Sequence, residues 1–501
     1  MRLPFLLSFA AYALSFVNAA TSGAMPQVEP RFLISNYTKT CVAIARSVSK
    51  SSGVYYFGHP LYIKGNSHWA SSSDQVSACV VEPASPQDIS IILSIVANTS
   101  TPFGIRSGGH ATNQGFSSTP GVQIALFKLS EVTYHPAPLA ADGSVGTVDI
   151  GSGLVWDDVY TALQPHNVAV VGGRVSGVGV GGFILGGGYS WLSNQYGLTI
   201  DTVTAFEVVL PNGTITSASD TTNPDLFYGL KGGFNNFGIV TRFTLLAFPM
   251  GQVWGGLKMF GSGFDLVNKA TVDFINNVDD PKAAIITAYN CLLGIPSISL
   301  LLFYDGPTPP PGIFERFESI PYLTSDVKTR SLINLVQASP VNLTYGQRRA
   351  FNTVSLKTYS LTLIEQILNQ TNFRGGNTLL GTTVTSYGVE PFLQTMTSRN
   401  KGGAYPHGDF LMPLILDYAW IGGSKDNSIL AEMQESVQVI YNQAVAEGQD
   451  IAGPKQIRYG NYAPAGLGLE SIYGNNLVEL WQLKALIDPN NIMGLAGGFR
   501  F

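Results

Sequence analysis

The run from Gly172 to Gly188, Gly172-Gly173-Arg174-Val175-Ser176-Gly177-Val178-Gly179-Val180-Gly181-Gly182-Phe183-Ile184-Leu185-Gly186-Gly187-Gly188, constrains this chain more than any other feature. Each glycine in a helix interior costs about 1 kcal/mol relative to alanine, so the run reads as backbone wrapped closely around a ligand rather than as a helix. Gly177, Gly179 and Gly182 satisfy the dinucleotide pattern G-x-G-x-x-G, and Asp201 lies where its ribose-binding acid would sit. That pattern needs a strand leading straight into the turn of one βαβ unit. Here the glycines continue to Gly188, which argues against a Rossmann unit.

A second glycine turn lies upstream, in Ile105-Arg106-Ser107-Gly108-Gly109-His110. A strand running into Ser-Gly-Gly lets successive backbone N–H groups face an anion, as a phosphate nest does. His110 then lies beside whatever the nest holds. The chain has 55 glycines in 501 residues without a Gly-X-Y period, and they bunch between Gly104 and Gly188. That distribution excludes a fibrous protein.

Hydrophobic residues make up 45% and charged residues 12%, enough for a large core spread over more than one domain. The net charge of −5 comes without a basic stripe, which argues against nucleic acid as a partner. Arg2, the apolar run Leu3–Val17 and the small residues around Ala19 read as a signal peptide over residues 1–19, too short to span a bilayer. The expectation is entry into the secretory pathway, ending outside the cell or in a secretory organelle or vacuole, with no membrane attachment once the signal is removed. In that compartment Cys41, Cys79 and Cys291 give one disulfide and one leftover thiol, and Cys41–Cys79 is the favoured pairing among the three possible. Asn36, Asn98, Asn212, Asn342 and Asn369 each begin an Asn-X-Ser/Thr triplet and are glycosylation candidates. No Cys-X-X-Cys or His/Cys cluster suggests a metal.

Along the chain, a helix is predicted over 33–50, an irregular segment over 51–75, and a strand over Val76–Pro83. Ser85 and Asp88 then open a helix through Val96. Strands follow at Phe103–Arg106, Val122–Leu126, Thr147–Gly151 and Val168–Val171, with a helix at Trp156–Leu163. A hairpin pairs Val203–Val209 with Thr214–Ser217, before a short helix at Asp225–Leu230 and a strand at Ile239–Phe248. This mixed α/β pattern ends near residue 250. From 251 to 454, strand-like runs (Ala284–Cys291, Ser297–Phe303, Phe410–Trp420) alternate with helical patterns such as Ser428–Glu447, predicting a sheet with helices on one side. Asp305–Gly312 is a stiff surface loop. The last segment carries Tyr459-Gly460-Asn461-Tyr462 and a terminal helix ending at Asp488.

Taken together, the R-S-G-G-H turn at 106–110, the long glycine run and F-G-I-V-T-R-F at 237–243 resemble the FAD-linked oxidases of the vanillyl-alcohol oxidase superfamily, in the berberine-bridge-enzyme-like branch. The resemblance covers nearly the whole chain after the signal. It implies an α+β, two-domain PCMH-type fold: an F domain over 21–250 plus 455–501, with its FAD-binding core at 76–250, and a substrate domain over 251–454. It also implies a flavin joined covalently to His110 through the 8α-methyl carbon, a bond that a neutral imidazole nitrogen can form as nucleophile. Cofactor contacts are implied for Arg106, Ser107, Gly108, Gly109, Gly115, Gly173, Gly177, Val178, Gly179, Gly182, Gly238, Ile239 and Asn461.

The departures from the family pattern are informative. Many relatives attach the flavin a second time through cysteine; this chain has Val175 there, so the histidyl link is expected alone. Phe183 stands where the family often has histidine, and Val178 where a small valine gates oxygen, which points to O₂ as acceptor. Sugar-oxidising relatives often carry an acid where this chain has Pro464, which favours a small hydrophobic natural product as substrate. A carbohydrate oxidase and a redox-neutral cyclase with structural FAD are the alternatives. Tyr459 and Tyr462 are candidates for taking a substrate hydroxyl proton; Asp417, Tyr418 and His407 are weaker ones. A monomer acting on a small molecule and O₂ is expected.

Overall fold

The computed structural model describes residues 36–339, 345–377, 381–409 and 411–501. The signal segment and Asn342 lie outside the described residues. Three of the four sheets among the described residues organise the rest. β1 (Gly53–Tyr55), β2 (Cys79–Glu82), β3 (Phe103–Arg106) and β4 (Val122–Ala125) form the first, in the order β1-β2-β4-β3. β2, β4 and β3 run parallel, and β2 is buried along its whole length, as a strand covered on both faces must be. The covering helix Pro86–Asn98 starts where Ser85 Oγ accepts the Asp88 N–H at 3.2 Å, and it buries Ile89, Ile92, Leu93 and Val96. A disulfide between Cys41 and Cys79 ties helix Thr38–Ser47 to β2.

The second sheet has the order β5-β6-β10-β8-β9, built from β5 (Val132–Pro136), β6 (Gly146–Gly151), β8 (Val203–Val209), β9 (Ile215–Ser219) and β10 (Ile239–Leu246), all antiparallel. The third has seven antiparallel strands: β12 (Val253–Phe260), β13 (Ala283–Leu292), β14 (Ile295–Tyr304), β15 (Thr324–Arg330), β16 (Arg348–Leu356), β17 (Thr382–Val389) and β18 (Met412–Trp420), ordered β15-β12-β14-β13-β17-β18-β16. Helices Leu361–Gly375 and Asp426–Ala446 pack on this sheet, and a large cavity lies against its other face. The chain end returns to the first region: Ala496 bridges Phe103, and helix Leu477–Ile487 packs on Pro224–Leu230.

Several expectations are corrected. Residues 51–75 hold β1 and a helix, Pro60–Asn66, whose first turn is capped by His59 Nδ1 accepting from Leu61 N–H at 3.1 Å. The first helix is shorter than 33–50. The strand at Val168 shrinks to β7 (Val168–Ala169), which pairs antiparallel with β11 (Phe248–Pro249), so no parallel strand feeds the glycine run. Within that run, Val180–Leu185 does form one helix turn and a half despite its glycines. Val180, Ile184 and Leu185 are buried there, and tertiary packing outweighs propensity. Among the described residues no helix is long and apolar enough to cross a membrane.

Candidate active site

The two glycine turns meet backbone to backbone. A Cβ on Gly108 would stand 2.6 Å from the Gly179 Cα, and one on Gly179 would stand 2.2 Å from the Gly108 nitrogen, so neither position admits a side chain. The Gly181 N–H donates to Ser107 Oγ at 3.1 Å and fixes the pair. Ser107, Gly108, Gly109, His110, Val178, Gly179 and Gly182 open onto a cavity of about 850 Å³, at the upper end of the range for ligand sites. Gly238, Ile239, Tyr459, Asn461 and Tyr462 line its other walls, and the third sheet closes it with apolar side chains such as Leu257, Ile286, Leu301 and Ile415.

Four residues for which the resemblance implies cofactor contact do not line the cavity. Gly115 packs against Gly497, Gly173 against Trp156, and the Gly177 N–H donates to Asp157 Oδ2 at 2.8 Å. Arg106 is buried over the Phe127 ring, its guanidinium hydrogen-bonded to the Lys64 carbonyl. These residues shape the turns from behind. Asp201 is likewise structural: its carboxylate accepts from His407 Nε2 at 2.8 Å, Leu198 N–H at 2.8 Å and Lys401 N–H at 2.9 Å, which also accounts for His407. Tyr418 hydrogen-bonds Tyr387 away from the cavity. Asp417 lines the cavity and pairs with Arg349 at 2.7 Å.

His110 is stacked under Trp69, and its Nδ1 is buried without a hydrogen-bond partner among the described residues. Burial, with a smaller contribution from the nearby Arg349 charge, pushes its pKa down to about 3, so the imidazole is neutral at physiological pH.

The two tyrosines differ sharply. The Tyr459 hydroxyl oxygen accepts from the Gly188 N–H at 3.1 Å and from Asn461 Nδ2 at 2.8 Å. Asn461, whose amide also donates to the Phe183 carbonyl at 3.2 Å, is wedged against Gly186, where an added Cβ would lie 2.3 Å from its Oδ1. The Tyr462 hydroxyl instead donates to Glu390 Oε1 at 3.2 Å and accepts from Arg174 Nη2 at 2.8 Å. Arg174 closes the triangle on Glu390 Oε2 at 2.7 Å, with both side chains buried. Burial raises the Glu390 carboxyl above its ordinary range against the opposing pull of Arg174 and Tyr462, and it drives the Tyr462 phenol well above its own.

Sequence reasoning missed Arg174 and Glu390 as functional groups. Arg174 stood within the glycine run, and Glu390 follows directly on β17 as a single acid in Tyr-Gly-Val-Glu-Pro-Phe. A charge in such an apolar stretch was the available signal.

The residues fit a bound FAD. The close Gly108–Gly179 approach leaves backbone, not side chains, along one cavity wall, and a Cβ on Gly182 would find nothing within 4 Å. A neutral histidine with an unsatisfied nitrogen stands at the rim of the same wall. Residues 77–219 match the FAD binding domain family. The chain is 32% identical over 487 residues to the FAD-dependent monooxygenase drtC of Aspergillus calidoustus, covering 92% of this chain and 90% of that protein. It is 30% identical to the FAD-dependent monooxygenase tpcD of Cochliobolus heterostrophus, covering 87% and 88%. In fold it is similar to the solved glucooligosaccharide oxidase of Acremonium strictum, with a TM-score of 0.74 at 20% identity over 91% of this chain and 97% of that one. The flavin of that oxidase is a 6-S-cysteinyl, 8α-N1-histidyl FAD. The chain belongs to the FAD-dependent oxidoreductases of the fungal secondary-metabolism type, and its fold is that of the berberine-bridge-enzyme-like proteins.

Proposed function

We propose that this oxidoreductase oxidises an alcohol, or a C–H or C–N bond, in a small hydrophobic natural product, as a tailoring step, with O₂ as acceptor and its FAD joined through His110 alone. When bound, FAD would supply a two-electron acceptor for a hydride from the substrate carbon, and that hydride with the proton released by the substrate accounts for reduction of O₂ to H₂O₂. The observation that carries the reading is Tyr462, its phenol hydrogen-bonded to Glu390 and Arg174 in the wall of a largely apolar cavity. Tyr462 takes the substrate hydroxyl proton on its oxygen as its own proton moves to Glu390. Arg174, 2.7 Å from Glu390, favours the ionised carboxylate that can accept it. Tyr459, with its oxygen committed to Gly188 and Asn461, holds the C-terminal segment in place. His110 is kept neutral for attachment, and Val175 offers no thiol for a second bond. The exposed Asn36, Asn98, Asn212 and Asn369 and the Cys41–Cys79 bridge suit a glycoprotein of the secretory pathway.

The test is a panel of hydrophobic alcohols and phenols beside glucose and xylose oligosaccharides, read by peroxide release and by ¹⁸O₂ labelling. One H₂O₂ per hydrophobic substrate consumed, with no label in the product, is expected. Label in the product would make the enzyme a monooxygenase, the activity in the names of its relatives. Preferred turnover of oligosaccharides would overturn the substrate class, and turnover without anaerobic bleaching of the flavin would overturn redox use.

A further inference from the structure

The register of the seven-stranded sheet sorts its cavity face into levels. Ser297 on β14 pairs with Asn290 on β13, Asn290 with Ser386 on β17, and Ser386 with Asp417 on β18. All four line the cavity. Hydrogen bonds link part of this row: Ser386 Oγ donates to Asn290 Oδ1 at 2.7 Å, and Asn290 Nδ2 donates at 2.9 Å to Ser299 Oγ, one level along on β14. At the end of the row, Asp417 Oδ2 accepts from Arg349 Nη1 at 2.7 Å, while Asp417 Oδ1 is buried with no hydrogen-bond partner among the described residues. One level along, β13, β17 and β18 present Ala288, Gly388 and Ile415, beside Ser299 on β14. Beyond that mostly apolar level stands Glu390, four residues from Ser386, or roughly 13 Å at about 3.3 Å per strand residue. On the opposite side of the row, Leu292 and Leu293 at the β13–β14 turn line the cavity and are 40% and 62% exposed, which marks the mouth.

A polar row across an apolar wall is costly unless each group finds a partner. Ser386, Asn290 and Ser299 have theirs, and among the described residues one buried oxygen of Asp417 has none. Arg349 balances the Asp417 charge, so the free oxygen suits a neutral donor better than an ammonium. We propose that the row Asn290–Ser386–Asp417 is a distal subsite that hydrogen-bonds a hydroxyl on the end of the substrate opposite the reacting carbon. This rests on Tyr462 and Glu390 marking the reacting end. The substrate class is then an elongated, apolar molecule with a hydroxyl at each end. Its span is roughly 13 Å, with an aliphatic or aromatic middle lying over Ala288, Gly388 and Ile415.

The test compares decan-1-ol with decane-1,10-diol on the flavin-loaded full chain by equilibrium dialysis under argon, so that occupancy is read without sustained turnover. The wild type is expected to hold the diol at least tenfold more tightly, the size of one hydrogen bond to a charged group. Asp417→Leu with Arg349→Met removes the pair without leaving either charge buried alone, and should reduce that preference below twofold. Ser386→Ala, a smaller change that keeps the protein folded should the double variant fail, should lower it about threefold. Equal binding of the two probes by the wild type, binding of neither, or a full preference surviving in the variants would each overturn the subsite. Loss of the oxidase reading in the peroxide test with the diol preference intact would instead sink the reaction and leave the subsite standing.

Discussion

Trp69 lies flat on His110, with ring centroids 4.1 Å apart and planes 18° from parallel. Arg349 covers a Trp69 face at 4.0 Å, and Asp417 anchors Arg349 in turn. The imidazole is thereby clamped in one orientation in a cation-flanked environment that keeps it unprotonated.

Clamping makes Trp69 a positioning residue for flavin attachment. Trp69→Ala is expected to leave a folded protein that still binds FAD but attaches it at least tenfold more slowly. The measurement is the fraction of flavin retained on acid-precipitated protein after timed incubation of apoprotein with FAD. Attachment at the wild-type rate would remove Trp69 from this role.

Tyr462→Phe is expected to lower kcat about 10²–10⁴-fold while leaving the bound flavin in place, because it deletes the proton path and little binding surface. Glu390→Gln should lower kcat on the same scale. Steady-state kinetics at saturating substrate separate these losses from changes in KM.

Glu390 must be ionised to accept a proton, so activity is present above its pKa and is lost as pH falls through it. Burial raises that pKa above the ordinary carboxylate range of about 4.3. The acid limb of kcat/KM against pH should therefore lie above that range and disappear in Glu390→Gln. A limb that persists in the variant would belong to another group.

Val175 lines the cavity beside the glycine turn. Val175→Cys is expected to add a second flavin attachment, seen as flavin mass on the peptide containing position 175 in addition to that containing His110. Flavin on the His110 peptide alone would show that the turn here holds position 175 out of reach.

The Cys41–Cys79 bridge closes a separation of 38 residues and joins the first helix to a buried strand. Cys41→Ser with Cys79→Ser should lower unfolding free energy by about 2–4 kcal/mol, read by denaturant titration.

What the sequence made legible follows from locality. β3, helix Trp156–Leu163 and the Ser85-capped helix Pro86–Asn98 are set by turns and apolar periods within a few residues of themselves, and they were located to within about two residues. His110, Gly108 and Gly179 were legible because glycine at a turn states a backbone requirement directly. The partnership of Arg174, Tyr462 and Glu390 joins positions 72 to 288 residues apart, and no local pattern encodes it. The stacking of Trp69 on His110 was invisible for the same reason. Arg106, Gly115, Gly173 and Gly177 show the converse: residues in a ligand-shaped motif also serve to build the turn itself.

The central claim, an FAD held by His110 in this cavity, is tested most directly by acid precipitation of the purified protein, with a visible spectrum and peptide mass mapping of pellet and supernatant. The account predicts yellow colour in the pellet, on the peptide containing His110 and on no other. Flavin released wholly into the supernatant would contradict the covalent link, and no flavin in either fraction of a well-folded sample would contradict the account as a whole.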